Sequence, residues 1–364
     1  MKYVFVLCMA MILISGCAKN EQILNKETGA AISAQSGQPQ LLAAGDDWLW
    51  VANQTNNKIE IFAPDDNWSS TATGIVKFSW KPTTGSGGNG YSQYAVDRWV
   101  RPNDFKVRNV AAWGGNYLCA VGGGGLLTIA AYPSGTKKWA YFLPANAGED
   151  LSNPHGCELL PNGNLAVAAS EKDSVLLFAS STPGTGGLDN TYRVSKYLAG
   201  AHAVLWDPGY NRLWAIGNDW IFELEIGGTA ASPTLTEKSR TQLLTIYGHD
   251  LSADLTNSNR LLCTTQTRTY YFNKNTKDFN ATPAGIDKSF VKSLSNQTSG
   301  TFVLTRKDSV KPASSKPLGS AVLDWNTRYV DKHSTSGTWL AYNTRQVNNV
   351  YQEFYKAKVF RTPY

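Results

Sequence analysis

The chain has 364 residues and a formal net charge of +6, with 42% hydrophobic, 12% aromatic and 17% charged residues. That apolar share supports a sizeable packed body and excludes a wholly disordered chain. The basic residues are dispersed, without a run of five, so the concentrated footprint that nucleic acid requires is missing and nucleic acid is set aside as a partner.

The N-terminus reads as a bacterial lipoprotein signal over 1–16. Lys2 is its charged region, Tyr3–Ile14 its apolar run, and Ile14-Ser15-Gly16-Cys17 resembles a lipobox. The apolar run is too short to span a bilayer, which needs about 20 residues. The product expected is a chain acylated on Cys17, exported, and held by its lipid on the periplasmic or cell-surface side of a membrane. Losing Lys2 with the signal lowers the net charge from +6 to +5. Residues 17–39 are polar and poor in aromatics, as a flexible tether is. No later apolar run reaches membrane length.

The body, 40–364, reads as an all-β propeller. Short apolar or alternating segments sit between Gly, Asn, Asp and Pro clusters, and helical periodicity is hard to find. His155, His202 and His249 recur at intervals of 47 and 47 residues. A period of roughly 40–50 residues in a β-rich chain signals one four-stranded blade per repeat. The first blade is read over 40–82 from LLAAG, WLWVAN, KIEIFA and IVKFSW, and the second over 104–147. The third spans 154–199, with a two-residue turn expected at Asn162-Gly163 after Pro161. The fourth spans 201–246, with Asp207-Pro208-Gly209 at the matching turn, and the fifth 248–280. The sixth takes FVKSLSN, TFVLTR, AVLDWN and the terminal FYKAKVF. This makes six blades, or seven if one of them hides strands, with long loops near 83–103 and 307–320. A propeller must close or expose unpaired edges, so Gln40–Gly45 is expected beside 350–360. Gly122–Gly125 lacks the lysine and helix of a phosphate loop and reads as a glycine hairpin. Cys119, Cys157 and Cys263 read as buried free thiols.

Aligning the blades by their first strands gathers a candidate ring at one mouth of the channel. His155, His202 and His249 share a position, with Asp104 in their place in the second blade. Lys106 and Lys292 lie near the start of their strands, and Glu158 and Asp250 follow their histidines. Three readings stay open. The histidines bond neighbouring blades and the body is a protein-interaction scaffold. Alternatively the ring binds a small acidic ligand or a glycan. The third alternative is that His155, His202 and His249 hold a divalent metal in a lyase or hydrolase acting on acidic carbohydrate, a reading resting on spacing alone. Trp48, Trp50, Trp206, Trp214 and Trp220 are expected to pack between blades. The loop aromatics Trp68, Tyr91, Tyr94 and Trp99 are candidates for stacking on a sugar.

The ordered phrases HGCELLPNGNLAVAAS, GAHAVLWDPGYNRLWAIG, YGHDLSADL and FVKSLSN resemble the DUF6528 family of bacterial secreted propeller-like proteins over roughly 40–360. The resemblance implies a propeller and export in a Bacteroidota-type bacterium, and no particular activity. A more distant similarity of plan links the chain to oligogalacturonate lyases, propellers with a histidine-bound metal. That similarity is one of architecture, which does not fix function.

Overall fold

The computed structural model describes residues 46–148, 151–179, 192 and 194–361. The signal over 1–16, the acylation site Cys17, the tether over 17–39 and the segment Gln40–Gly45 lie outside the described residues. Six antiparallel four-stranded sheets make a six-bladed β-propeller with almost no helix. Blade 1 takes its innermost strand, Phe354–Val359, from the C-terminus, followed outward by Leu49–Asn53, Lys58–Phe62 and Val76–Trp80. The other five run outward in chain order from Pro102–Val110, Pro154–Leu159, Ala203–Asp207, Asp250–Ala253 and Val291–Asn296. Each inner strand packs on the next around the axis, and Phe354–Val359 touches both the first and the last of these five.

The ring closes as expected, with the first described strands and the C-terminal strand in one blade. The C-terminal strand pairs with Leu49–Asn53; the expected strand LLAAG falls in the residues not described. FYKAKVF therefore belongs to blade 1 rather than to blade 6. The outer strands of blade 6 are Val330–His333 and Trp339–Asn343, while AVLDWN is loop, with Val322 84% exposed. The insertion after Arg306 carries two short 3-10 turns, Asp308–Val310 and Ala313–Ser315. The loop after blade 1 contains the short helix Gln93–Arg98.

The apolar core is six wedges, one in each gap between neighbouring blades. A blade is covered on both faces, so its middle strands read as continuous apolar runs whose alternate residues serve different gaps. Leu118 and Ala120 face blade 1, while Cys119 and Val121 face blade 3. Trp50, Trp206 and Trp214 fill such gaps as expected. Cys119, Cys157 and Cys263 are free and buried, the first two in one gap.

Three glycine positions matter for shape. The hairpin in blade 3 is a three-residue loop, not a two-residue turn. Leu160 N–H bonds Asn164 O at 2.8 Å, and Gly163 alone takes a positive φ, +87°. This is the type I turn with a left-handed third residue common in longer hairpins. Gly156 sits where a Cβ would fall 2.9 Å from Ala203 Cα, so it lets the inner strands of blades 3 and 4 meet beside the axis. Gly122–Gly125 is a hairpin turn, with Gly125 at φ +96°.

Candidate functional site

The inner strands begin with a shared irregularity. In blade 3, Pro154 faces Ala169 and Gly156 faces Ala168, leaving His155 as the extra residue of a bulge. Bulges re-aim a side chain, and this one turns His155 to the axis. The same extra position is Asn103 in blade 2, Lys292 in blade 6 and Tyr355, with Lys356, in blade 1. His202 and His249 stand at the equivalent place just before their strands. Asp104 therefore does not take the histidine position; Asn103 does, and Asp104 lies one residue deeper, level with Asp250.

The three histidines do come together. The His155 and His202 rings stack at 3.9 Å with 25° between planes, and His202 and His249 lie 4.2 Å apart. Ser170 Oγ donates to Ala201 O at 2.6 Å, which leaves it to accept from His155 Nδ1 at 2.8 Å; His202 Nδ1 is 3.3 Å away. His249 Nδ1 donates to Lys292 O at 3.1 Å. That tautomer, assigned from the network, makes its Nε2 an acceptor for Lys292 Nζ at 3.2 Å and Tyr355 Oη at 3.1 Å. Burial and the ammoniums of Lys356 and Lys292 push His155 down to about 3. His202 and His249 are likewise driven well down, first by burial and then by neighbouring imidazoles and lysines. At neutral pH this is a ring of uncharged imidazoles bonded to one another's blades.

The His155 and His202 planes are near parallel, whereas His202 and His249 are tilted by 48°. His249 Nε2 already faces an ammonium. Among the described residues no group of three or more His, Cys, Asp or Glu side chains is arranged to hold a metal ion.

Below the histidines the axis is ionic. Asp104 accepts from Lys106 Nζ at 2.6 Å and from Cys157 N–H at 3.0 Å; its other oxygen has no hydrogen-bond partner among the described residues. Asp250 pairs with Lys358 at 2.7 Å and Lys356 at 3.3 Å, and accepts from Leu294 N–H. Burial would raise the Asp104 carboxyl, but Lys106, Lys356 and Lys358 outweigh it and hold it well below the usual carboxylate range. Burial would lower Lys106, but Asp104 and Glu158 outweigh it and raise it. Lys358 stays lowered, because burial exceeds the pull of Asp250 and Asp104. Glu158 is bonded by Arg108 at 2.8 Å and by Trp206 N–H at 3.2 Å.

Every second residue beyond the bulge returns to the axis, as the pleat requires. Three residues on, roughly 10 Å along the strand, stand Lys106, Glu158, Leu205, Ser252, Ser295 and Lys358. All of these but Glu158 line a cavity of about 640 Å³ that opens at the opposite mouth. Its walls add the cations Arg108, Arg260, Lys274 and Arg361 and the aromatics Trp50, Phe105, Trp206, Tyr210 and Phe360. Asp207 and Asp254 also line it, paired with Lys274 and Arg260 respectively. Among the described residues Ser252 Oγ and Trp206 Nε1 have no hydrogen-bond partner, although each residue is only 7% exposed. A buried donor left unpaired costs about 1–3 kcal/mol, so two in one cavity wall are conspicuous.

The eight candidates thus divide. His155, His202, His249 and Lys292 form the first ring, Asp104 and Asp250 the second, and Lys106 and Glu158 the third. Sequence reasoning missed Tyr355, Lys356, Lys358 and the basic funnel. The alternation of FYKAKVF, with Lys356 and Lys358 two residues apart, was the available signal. Three of the four loop aromatics are core residues rather than a stacking surface. Trp68 stacks on Phe62 at 4.6 Å, Tyr91 bonds Thr128 and Trp99 bonds Asn57 O. Only Tyr94 is open, 55% exposed.

A family model described as a family of unknown function, DUF6528, matches residues 10–344. No curated protein matches the chain. Among solved structures, a protein of unknown function from Bacteroides caccae is similar, at 10% identity and a TM-score of 0.51 over 87% of this chain and 100% of that one. At that identity the likeness concerns the fold alone.

Proposed function

The chain belongs to DUF6528, a family of unknown function, and from its own geometry we propose that it is a binding module for a small polar or acidic molecule, seated in the funnel opposite the histidine ring. The observation that carries this reading is the cavity of about 640 Å³, apolar and aromatic on its walls with basic groups interspersed. Ligand sites have this character: mostly apolar concavities with a few placed polar groups. The half-buried ring of Tyr210 suits the apolar face of a sugar, and the half-exposed guanidinium of Arg361 suits a carboxylate. The lipobox-like Ile14-Ser15-Gly16-Cys17 supports placing this module on a membrane by a lipid, and Cys17→Ser should release it.

The test is a screen of glycans and small carboxylates, followed by calorimetry on two variants. Tyr210→Ala should weaken binding of any hit about tenfold, and His202→Ala should leave its affinity unchanged. The reverse pattern would move the site to the histidine mouth. The enzyme alternative is not carried by the ring, whose imidazoles are engaged with Ser170, Lys292 and Tyr355.

A further inference from the structure

The charges on the axis do not balance. In the second and third rings three ammoniums, Lys106, Lys356 and Lys358, face two carboxylates, Asp104 and Asp250. The third carboxylate, Glu158, is taken up by Arg108. One positive charge is in excess (three minus two), and the neutral histidines contribute nothing. Lys356 is 0% exposed, Lys106 7% and Lys358 6%. Lys356 and Lys358 share the one carboxylate of Asp250, and a buried charge that is only partly compensated is costly.

Lys106 and Lys358 are shared between this network and the funnel, whose floor they form with Ser252 and Ser295. Ser295 Oγ accepts from Val359 N–H at 3.1 Å; Ser252 Oγ has no hydrogen-bond partner among the described residues. A ligand oxygen at the floor would meet an unused O–H donor beside two ammoniums. Anions are bound in this way, by charge-assisted hydrogen bonds from preplaced donors.

We infer that the funnel floor is an anion subsite, at which a carboxylate of the ligand meets Lys358, Lys106 and Ser252 Oγ and neutralises the axial excess. This deepens the proposed function and rests on it. The ligand is then an acid whose carboxylate points down the axis and whose body lies against Trp50, Tyr210 and Phe360. A neutral sugar would fill the walls but leave the floor cationic.

The experiment uses sodium glucuronate, the neutral methyl ester of glucuronic acid, and neutral glycan hits, titrated by calorimetry into the full-length protein. Glucuronate should bind at least tenfold tighter than the ester, since one charge-assisted bond accounts for about that factor. Lys358→Met should abolish the difference. Because Lys358→Met also strips Asp250 of a partner and can compromise folding, Ser252→Asp is the second variant. It supplies the counter-ion covalently, so it should melt no lower than the parent and lose glucuronate at least tenfold. Equal binding of acid and ester overturns the subsite, as does a Ser252→Asp protein that is destabilised and binds glucuronate unchanged. If neutral glycans bind, and Tyr210→Ala weakens them while acids gain nothing, the funnel reading stands and the anion subsite falls. If Tyr210→Ala changes neither, both fall.

Discussion

The two ends of the channel are built from the same six strands, about three residues apart in each, yet they solve opposite problems. At the histidine end every ring is engaged: His155 and His202 through Ser170, His249 through Lys292 and Tyr355. The imidazoles stack on one another and fill the axis. At the other end the axial position is occupied by two serines and a leucine between the lysines, and the strands enclose a cavity. Polar residues near an axis therefore do not by themselves mark a site. What separates the ends is the cavity, and in its wall Ser252 Oγ and Trp206 Nε1 have no hydrogen-bond partner among the described residues.

The comparison can be broken most severely at its middle. Asp250 is the carboxylate between both ends, and Asp250→Ala would leave Lys356 and Lys358 unpaired and buried. It should cost about 3–5 kcal/mol, the usual penalty for breaking a buried pair, and urea unfolding would measure it. A loss under about 1 kcal/mol would mean that the axis is wetter than described.

Acid should attack the histidine end first. The folded imidazoles have depressed affinity for protons, His155 down to about 3 against roughly 6.5 unfolded. The unfolded chain then binds more protons between those values, so stability is complete above about pH 6.5 and is lost as pH falls toward 3. Asp104, lowered in the fold, adds a loss of the same sign below about pH 4. His155→Asn should flatten the first decline in unfolding free energy measured against pH. An unchanged slope would show that these rings are already protonated in the fold.

Gly156→Ala sharpens the contrast from the histidine side. The added methyl meets Ala203 Cα at 2.9 Å, and overpacking of this kind costs about 1–3 kcal/mol. It should lower thermal stability while leaving affinity at the funnel intact. Tyr210→Ala is the mirror experiment with the smallest stability effect, about 1 kcal/mol from its hydroxyl bonds to Asn259 and Asn275, and its main consequence should be lost binding.

Much of this was legible in the sequence and part was not, for identifiable reasons. The spacing of His155, His202 and His249 exposed the blade period because inner strands repeat their register around an axis. Convergence of the three rings followed from it. The last blade was harder: the insertion after Arg306 breaks the period, and Val330–His333 with Trp339–Asn343 carries little apolar signal. FYKAKVF was seen as a strand but given to the neighbouring blade in sequence, although closure puts it in the first. Asp104 was placed one residue out, although Pro102-Asn103 and Pro154-His155 offered the matching register: both blades carry the same bulge, with Asn103 in one where His155 stands in the other. Which mouth holds the cavity was beyond sequence altogether. It depends on how far side chains such as His202 and Lys356 reach across the axis, compared with Ser252 and Leu205.

The most direct test of the central claim, that ligands enter the funnel rather than the histidine mouth, is magnetic resonance of indole and imidazole groups during titration with a screened hit. Trp50 and Trp206 line the funnel, whereas His155, His202 and His249 lie at the other end. The account predicts that the Trp206 and Trp50 indole N–H resonances shift with ligand while the three imidazoles stay in place. Shifts confined to the imidazoles, with both indoles unmoved, would contradict it.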